Sequence, residues 1–285
     1  MNNFLIIGGD NRQCFMADYF ENKGKTVNVY GIPENYNRKN INSLNTALKE
    51  ADAIILPLPV SKDGKQIYTT NNQEISIDYI AAATESDPLI FAGMLNNGIY
   101  NKLSKKGNKV FDYFKREEVS ILNNIPTVQG ILKTIFENID YTVHSSECAV
   151  FGYGKTGRIT ASTLKSLGAY VTVCARKYSD TALAFSCGMN GCMINNFYKI
   201  ADKFDIIINT VPSLVIDKRI IEKLKNNCLI IDIASAPYGT DFAQAEKYGI
   251  KALQCPSLPG KTAPKTAGEI IAKGIENILK EEGYE

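Results

Sequence analysis

Histidine is nearly absent: His144 is the one example in 285 residues. That excludes a metal centre built on several imidazoles. The seven cysteines are odd in number and scattered, and only Cys187 and Cys192 lie close together. They suggest neither a zinc site nor a disulfide framework. Charge of one sign is also lacking. The 32 Lys and Arg are mixed with 30 Asp and Glu for a net charge of +2, leaving no basic stripe for nucleic acid and no acidic tail. Residues 1–8 carry neither the charged region nor the long apolar run of a secretion signal. No apolar stretch approaches the roughly 20 residues of a membrane span. The chain therefore reads as cytoplasmic, with neither a membrane nor a nucleic acid as partner.

What is present is 45% hydrophobic residues, enough for two cores, and one stretch that organises the rest. Residues 148–151 read as a buried parallel strand that runs into Gly152-x-Gly154-x-x-Gly157, with a helical pattern after it. Strand, glycine turn and helix in that order predict a dinucleotide site. Gly152 makes the tight turn, Gly154 lets backbone approach a pyrophosphate, and Gly157 lets the helix pack on the strand. Tyr153, Lys155, Thr156 and Arg158 complete the turn, where free helix N–H groups meet phosphate.

The next strand is expected at residues 170–174. A site that prefers NAD places Asp or Glu just beyond this strand to accept from the ribose 2′-OH. Here the residues are Ala175-Arg176-Lys177. No carboxylate repels a 2′-phosphate and a guanidinium can fork around it, so NADP is expected over NAD. Later strands at 205–209 and 228–231 exit into Thr210-Val211-Pro212 and into Asp232-Ile233-Ala234. These turns are expected beside the ribose and the nicotinamide.

Residues 1–125 show the same rhythm, with strands expected at 4–7, 26–30, 53–56, 89–91 and 109–111, as in a doubly wound parallel sheet. Ligands bind beyond the carboxyl ends of such strands, which points to Asp10, Arg12, the turn at 57–60 and Gly93. On its own, Arg12 reads as a solvated helix residue. Residues 61–73 are polar and read as a loop or hairpin. A helix over 127–138 opens the second domain, 126–262. His144 follows in a connector, where a lone histidine is structural by default. The last segment, 263–285, is expected to pack back on the first domain through Ile270, Ile271, Ile275, Ile278 and Leu279. Thr262 is its expected cap and Pro264 suits its first turn. Lys261 and Lys265 sit where acids are usual, and with Thr262 and Thr266 they make an anion site.

Several stretches agree with one family: Gly8-Gly9-Asp10-x-Arg12-Gln13, Ile125-Pro126-Thr127, the glycine turn, Ile208-Asn209-Thr210-Val211-Pro212-Ser213, Asp232-Ile233-Ala234-Ser235 and Gly239-Thr240-Asp241-Phe242. The most specific is Leu258-Pro259-Gly260-x-x-Ala263-Pro264-Lys265-Thr266-Ala267-Gly268. Through these the whole chain resembles the dipicolinate synthase A-subunit family. Gln129 stands where that family would place an acid, and Lys155 replaces its usual Arg. The resemblance implies two doubly wound parallel-sheet α/β domains, the second a Rossmann domain, arranged as in 2-hydroxyacid and alanine dehydrogenases. It also implies oxidation of dihydrodipicolinate to dipicolinate with NADP⁺ in the mother-cell cytoplasm of sporulating bacteria. A flavoprotein-like B subunit is the implied partner, in a hetero-oligomer.

For that chemistry a hydride passes from a ring carbon to the nicotinamide while a proton goes to a base or water. Aromatisation drives the step, so the protein has chiefly to position two rings. Lys265, Thr266, Lys261 and Arg12 are the expected partners of the substrate carboxylates, with Lys265 in the catalytic set. Asp232 and His144 are the candidate proton acceptors. Two other readings fit the same residues. One is an NADP-linked dehydrogenase of a small hydroxy or amino acid; the other is a cofactor-binding structural subunit of a flavoprotein complex.

Overall fold

The computed structural model describes residues 1–34, 39–84 and 87–284. Its contacts divide the chain into two units, 1–123 with 263–285, and 124–262.

In the first unit, β1 (Asn3–Ile7), β2 (Thr26–Tyr30), β3 (Ala53–Ile55), β4 (Leu89–Ala92) and β5 (Val110–Asp112) form one sheet in the order β2-β1-β3-β4-β5. Every pairing is parallel. Both faces of such a sheet must be covered, so its strands read as unbroken apolar runs. In β1, Phe4 and Ile6 enter the core that holds Met16, Phe20 and Ile275, whereas Leu5 and Ile7 enter the opposite core with Leu48 and Ile80. The covering helices are α1 (Asn11–Glu21), α2 (Leu44–Glu50), α3 (Ile77–Ala83), α4 (Asn97–Leu103) and α5 (Glu117–Leu122).

The second unit opens with α6 (Asn124–Phe136) and holds β6 (Glu147–Phe151), β7 (Tyr170–Ala175), β8 (Asn190–Met193), β9 (Ile206–Asn209), β10 (Leu229–Asp232) and β11 (Lys251–Gln254). Their order is β11-β10-β9-β6-β7-β8, again all parallel. Helices α7 (Lys155–Ser166), α8 (Tyr178–Ser186), α9 (Lys218–Ile221), α10 (Phe242–Lys247) and α11 (Leu258–Thr262) connect or follow them. The chain winds from β6 outward to β8, then returns to the other side of β6 with β9. The switch point therefore lies between β6 and β9, where the glycine turn leaves the sheet. Strand β8, Asn-Gly-Cys-Met, has no apolar run to announce it; its ladder with β7 makes it a strand.

The last helix, α12 (Pro264–Glu281), lies on α1 within the first unit. Ile271, Ala272, Ile275, Ile278 and Leu279 join the core around Phe4 and Met16. A Cβ on Gly268 would overlap the Arg12 carbonyl oxygen, so only glycine allows this approach. Thr262 is not the cap of this helix. Proline disfavours a helical conformation in the residue before it, and Ala263 takes φ −140°, ψ 63° as the N-cap with no side-chain cap. Residues up to Thr262 instead close the separate short helix α11.

The 61–73 loop is pinned rather than loose. Gly9 bridges Thr69, Gln66 bridges Ser76, and Ile67 is 2% exposed. Among the described residues, no helix is long and apolar enough to cross a membrane.

Candidate functional site

At the end of β6 the backbone turns at Gly152, with φ +90°. Its amide donates to the Cys174 carbonyl at 2.8 Å. A Cβ on Gly157 would overlap the Gly152 carbonyl oxygen, which fixes the close packing of α7 against the turn. Gly154 is the opposite case. It is the N-cap of α7, no side chain caps the helix, and a Cβ there would meet nothing within 4 Å. The first-turn N–H groups of α7 thus point past an open glycine, the geometry that takes a pyrophosphate. The residues present fit a dinucleotide.

The neighbouring turns are tied to this one. Thr210 donates through both its amide (3.0 Å) and its hydroxyl (2.8 Å) to the Phe151 carbonyl. Its hydroxyl is therefore spent on the turn; beyond it Val211 is half-buried and Pro212 is exposed. Thr156 is likewise committed: its hydroxyl bonds the buried Asn124 at the start of α6. Asn124 gave no sequence signal, because a polar residue opening a helix is commonplace.

At the tip of β7, Ala175 is buried while Arg176 and Lys177 are exposed. Neither cation forms an ion pair with another described residue. Arg158 is different. Its Nε donates to the Tyr153 carbonyl at 2.9 Å, its guanidinium lies 5.3 Å from the Tyr153 ring centroid, and Asp180 is 4.0 Å away. Arg158 braces the glycine turn from the α8 side. With Tyr153, Ser162, Leu183, Cys187 and Met189 it lines a cavity of about 530 Å³ behind the turn.

The two expected proton acceptors, Asp232 and His144, sit in different surroundings. Asp232 is fully buried. It accepts from the amides of Ala234 (3.0 Å) and Gly239 (2.9 Å) and from the Thr240 hydroxyl (2.8 Å). A carboxylate so occupied holds the 233–240 loop, with Oδ1 accepting one of these bonds and Oδ2 the other two. His144 is exposed, but it precedes β6 and packs beside Gly168. It therefore lies at the amino edge of the sheet, one strand length (about 16 Å) from the glycine turn.

In the first unit the switch point lies between β1 and β3. Asp10 caps α1 and forms a capping box with Gln13. Arg12 is 4% exposed, which overturns its reading as a solvated residue. Its Nε and Nη2 donate to the two Asp10 oxygens at 2.8 and 2.9 Å, and Nη2 also donates to the Leu58 carbonyl at 2.5 Å. Gly93 is a packing glycine, since a Cβ would come within 3 Å of both Leu58 and Tyr113. It is buried and offers no ligand surface. Lys261 is exposed on α11, and Lys265 and Thr266 are exposed in the first turn of α12.

Residues 3–114 match the family model for the N-terminal domain of the dipicolinate synthase A-subunit. Residues 124–271 match that for the S-adenosyl-L-homocysteine hydrolase NAD-binding domain. The second sheet with its glycine turn is accordingly an NAD(P)-binding Rossmann domain of the kind found in oxidoreductases. The dipicolinate synthase A-subunit of Bacillus subtilis (strain 168) is 34% identical over 97% of this chain and 95% of its own length. The crystal structure of the A chain of dipicolinate synthase from Bacillus subtilis superposes with a TM-score of 0.86 at 32% identity, covering 100% of this chain and 98% of that one. A phosphoglycerate oxidoreductase from Vibrio cholerae O395 shares the fold at 13% identity, with a TM-score of 0.60 over 100% of both chains.

Proposed function

Since the chain belongs to the dipicolinate synthase A-subunit family, we propose that it oxidises dihydrodipicolinate to dipicolinate with NADP⁺ during sporulation. It does so in the mother-cell cytoplasm, as one component of a complex with a B subunit. The observation that carries the NADP reading is the pair of exposed cations Arg176 and Lys177 at the β7 tip, with no Asp or Glu among residues 175–177. A 2′-phosphate finds there a forked donor and a second positive charge.

When bound, the dinucleotide supplies the hydride acceptor. The chain's own work is placement. Gly154 leaves the approach to α7 open, and the first-turn amides of that helix receive the pyrophosphate charge. Asp232 holds the shape of the 233–240 loop, which follows β10 beside the nicotinamide half. The substrate carboxylates meet Lys265 and Thr266 at the uncapped start of α12. With Asp232 fully bonded and His144 at the far sheet edge, the ring proton leaves to water.

The test has two parts. The purified chain is titrated with NADPH and NADH by fluorescence, and dipicolinate absorbance is followed with NADP⁺ with and without the B subunit. NADPH is expected to bind more tightly, and Arg176→Ala to lose about 10- to 100-fold for NADPH alone, the scale of one charge-assisted contact. Equal affinity for the two carriers would remove the NADP assignment. No dipicolinate under either condition would remove the reaction.

A further inference from the structure

Beside the nucleotide turn lies a pair of thiols that the proposed chemistry does not use. Cys174, on β7, stands directly opposite Cys192, on β8, in the parallel ladder. Neighbouring strands are about 4.8 Å apart, inside the ~4.4–6.8 Å range of Cα separations that a disulfide spans. Both residues belong to one face, where Cys192 packs against the cluster that contains Cys174. The Cys192 Sγ donates to the Met193 carbonyl at 3.3 Å. Both are free thiols.

The two environments differ in a way that suits sequential oxidation. Cys174 is fully buried, and burial holds its thiol well above the ordinary range, protonated. Cys192 is partly exposed on the terminal strand of the sheet, and the neighbouring Cys174 thiol brings its own thiol down to about 7. One thiol is an accessible nucleophile and the other is its protonated neighbour. That division of roles is the one a dithiol needs.

We propose that Cys174 and Cys192 form a reversible oxidation site whose disulfide weakens dinucleotide binding in this domain. The oxidant is a hydroperoxide. The Cys192 thiolate attacks the peroxide oxygen and becomes a sulfenic acid as hydroxide or alkoxide leaves. The Cys174 sulfur then displaces that hydroxyl; its proton and the hydroxyl depart as water, and the two sulfurs are joined. The peroxide is reduced by two electrons and the thiol pair is oxidised by two.

The coupling to the nucleotide is built into the backbone. The Cys174 carbonyl accepts the Gly152 amide, so it helps set the first residue of the glycine turn. Two residues on, Arg176 stands at the ribose end of the site. On the partner strand, Met193 pairs with Ala175. A bond of about 2.05 Å between the sulfurs brings them closer than any non-bonded contact and loads all three points. The inference rests on the nucleotide reading for its effect, but not for the bond itself.

The test treats the full chain with one equivalent of hydrogen peroxide and maps thiols by non-reducing peptide mass spectrometry. NADPH titration is run before oxidation, after it, and after dithiothreitol. A linked Cys174–Cys192 peptide is expected, with about tenfold weaker NADPH binding that dithiothreitol restores. Cys192→Ser should abolish both changes, and Cys187→Ser should leave both in place. Absence of the linked peptide, or its presence with unchanged affinity, overturns the proposal. If NADPH binds neither form, the nucleotide reading fails, while the peptide map still decides the thiol chemistry.

Discussion

Arg12 and Asp10 close a two-point ion pair at the end of β1, and the same guanidinium ties the Leu58 carbonyl beyond β3. One side chain thus joins the two strand exits that flank the first unit's switch point. It cannot be replaced by another cation. Lysine offers a single point charge where a planar fork is required. Arg12→Lys is expected to lower stability by about 1–3 kcal/mol, and Arg12→Ala by about 3–5 kcal/mol, the range for breaking a buried pair. Denaturant midpoints with unchanged slope would establish it. An Arg12→Ala chain as stable as the parent would remove the strut.

The glycine turn gives a pair of substitutions with opposite signatures. At Gly154 an added methyl enters open space, and φ is −75°, so Gly154→Ala is expected to leave the melting temperature nearly unchanged. It obstructs the pyrophosphate, and dinucleotide affinity should fall at least about tenfold. At Gly157 the methyl meets the Gly152 carbonyl, and something must move. Gly157→Ala should cost about 1–3 kcal/mol in stability as an overpacked site, and lose affinity as well. Calorimetric melting and NADPH titration on the two proteins separate these effects.

How much of this could be read beforehand follows from the kind of signal each part carries. The parallel sheets were legible because strands buried on both faces leave unbroken apolar runs, as in residues 4–7 and 148–151. The glycine turn was legible because each glycine meets a distinct steric demand. Strand β8 was not, since Asn190 and Gly191 belong to it only through the β7 ladder. Arg12 misled for a similar reason: nothing in its neighbours announces that Leu58 will cover it. His144 and Asp232 are a different case. Residue type suggests proton transfer, whereas only the fold shows the one at the edge of the sheet and the other held by three donors. The Gly239-Thr240 pair after Asp232 was the one usable hint, because a carboxylate followed at seven and eight residues by such donors can brace a loop.

Acid should loosen the contact between α1 and α12 through Glu276. The Tyr19 hydroxyl donates to Glu276 at 2.6 Å and Lys23 lies 3.2 Å from the same carboxylate. The hydrogen bond from Tyr19, partly opposed by burial and supported by Lys23, holds the Glu276 pKa below its ordinary value. A depressed folded pKa gives stability that is complete above the unfolded value of about 4.3 and is lost as pH falls through the folded one. On the alkaline side, burial and then Glu276 push Tyr19 up to about 12. Its contribution is therefore whole below about 10 and fades as pH rises toward 12. Glu276→Gln is expected to flatten the acid slope of stability between about pH 5 and 3. Urea midpoints measured across that interval would detect it, and an unchanged slope would assign acid sensitivity elsewhere.

Asp232 offers the sharpest distinction between a brace and a base. A base that takes the substrate proton must present a free oxygen, and its replacement abolishes turnover and removes one limb of the pH–rate profile. A brace instead holds Ala234, Gly239 and Thr240 in register. Asp232→Asn keeps the size but turns an amide NH₂ toward groups that are themselves donors, leaving at least one of them unsatisfied in a buried site. The expected cost is about 1–3 kcal/mol in stability. The Michaelis constant for NADP⁺ should rise as the loop loosens, while kcat falls far less and both limbs of the pH profile persist. Should kcat collapse and a limb vanish with the NADP⁺ Michaelis constant unmoved, the carboxylate would be the base after all, and the loop would open to it during turnover.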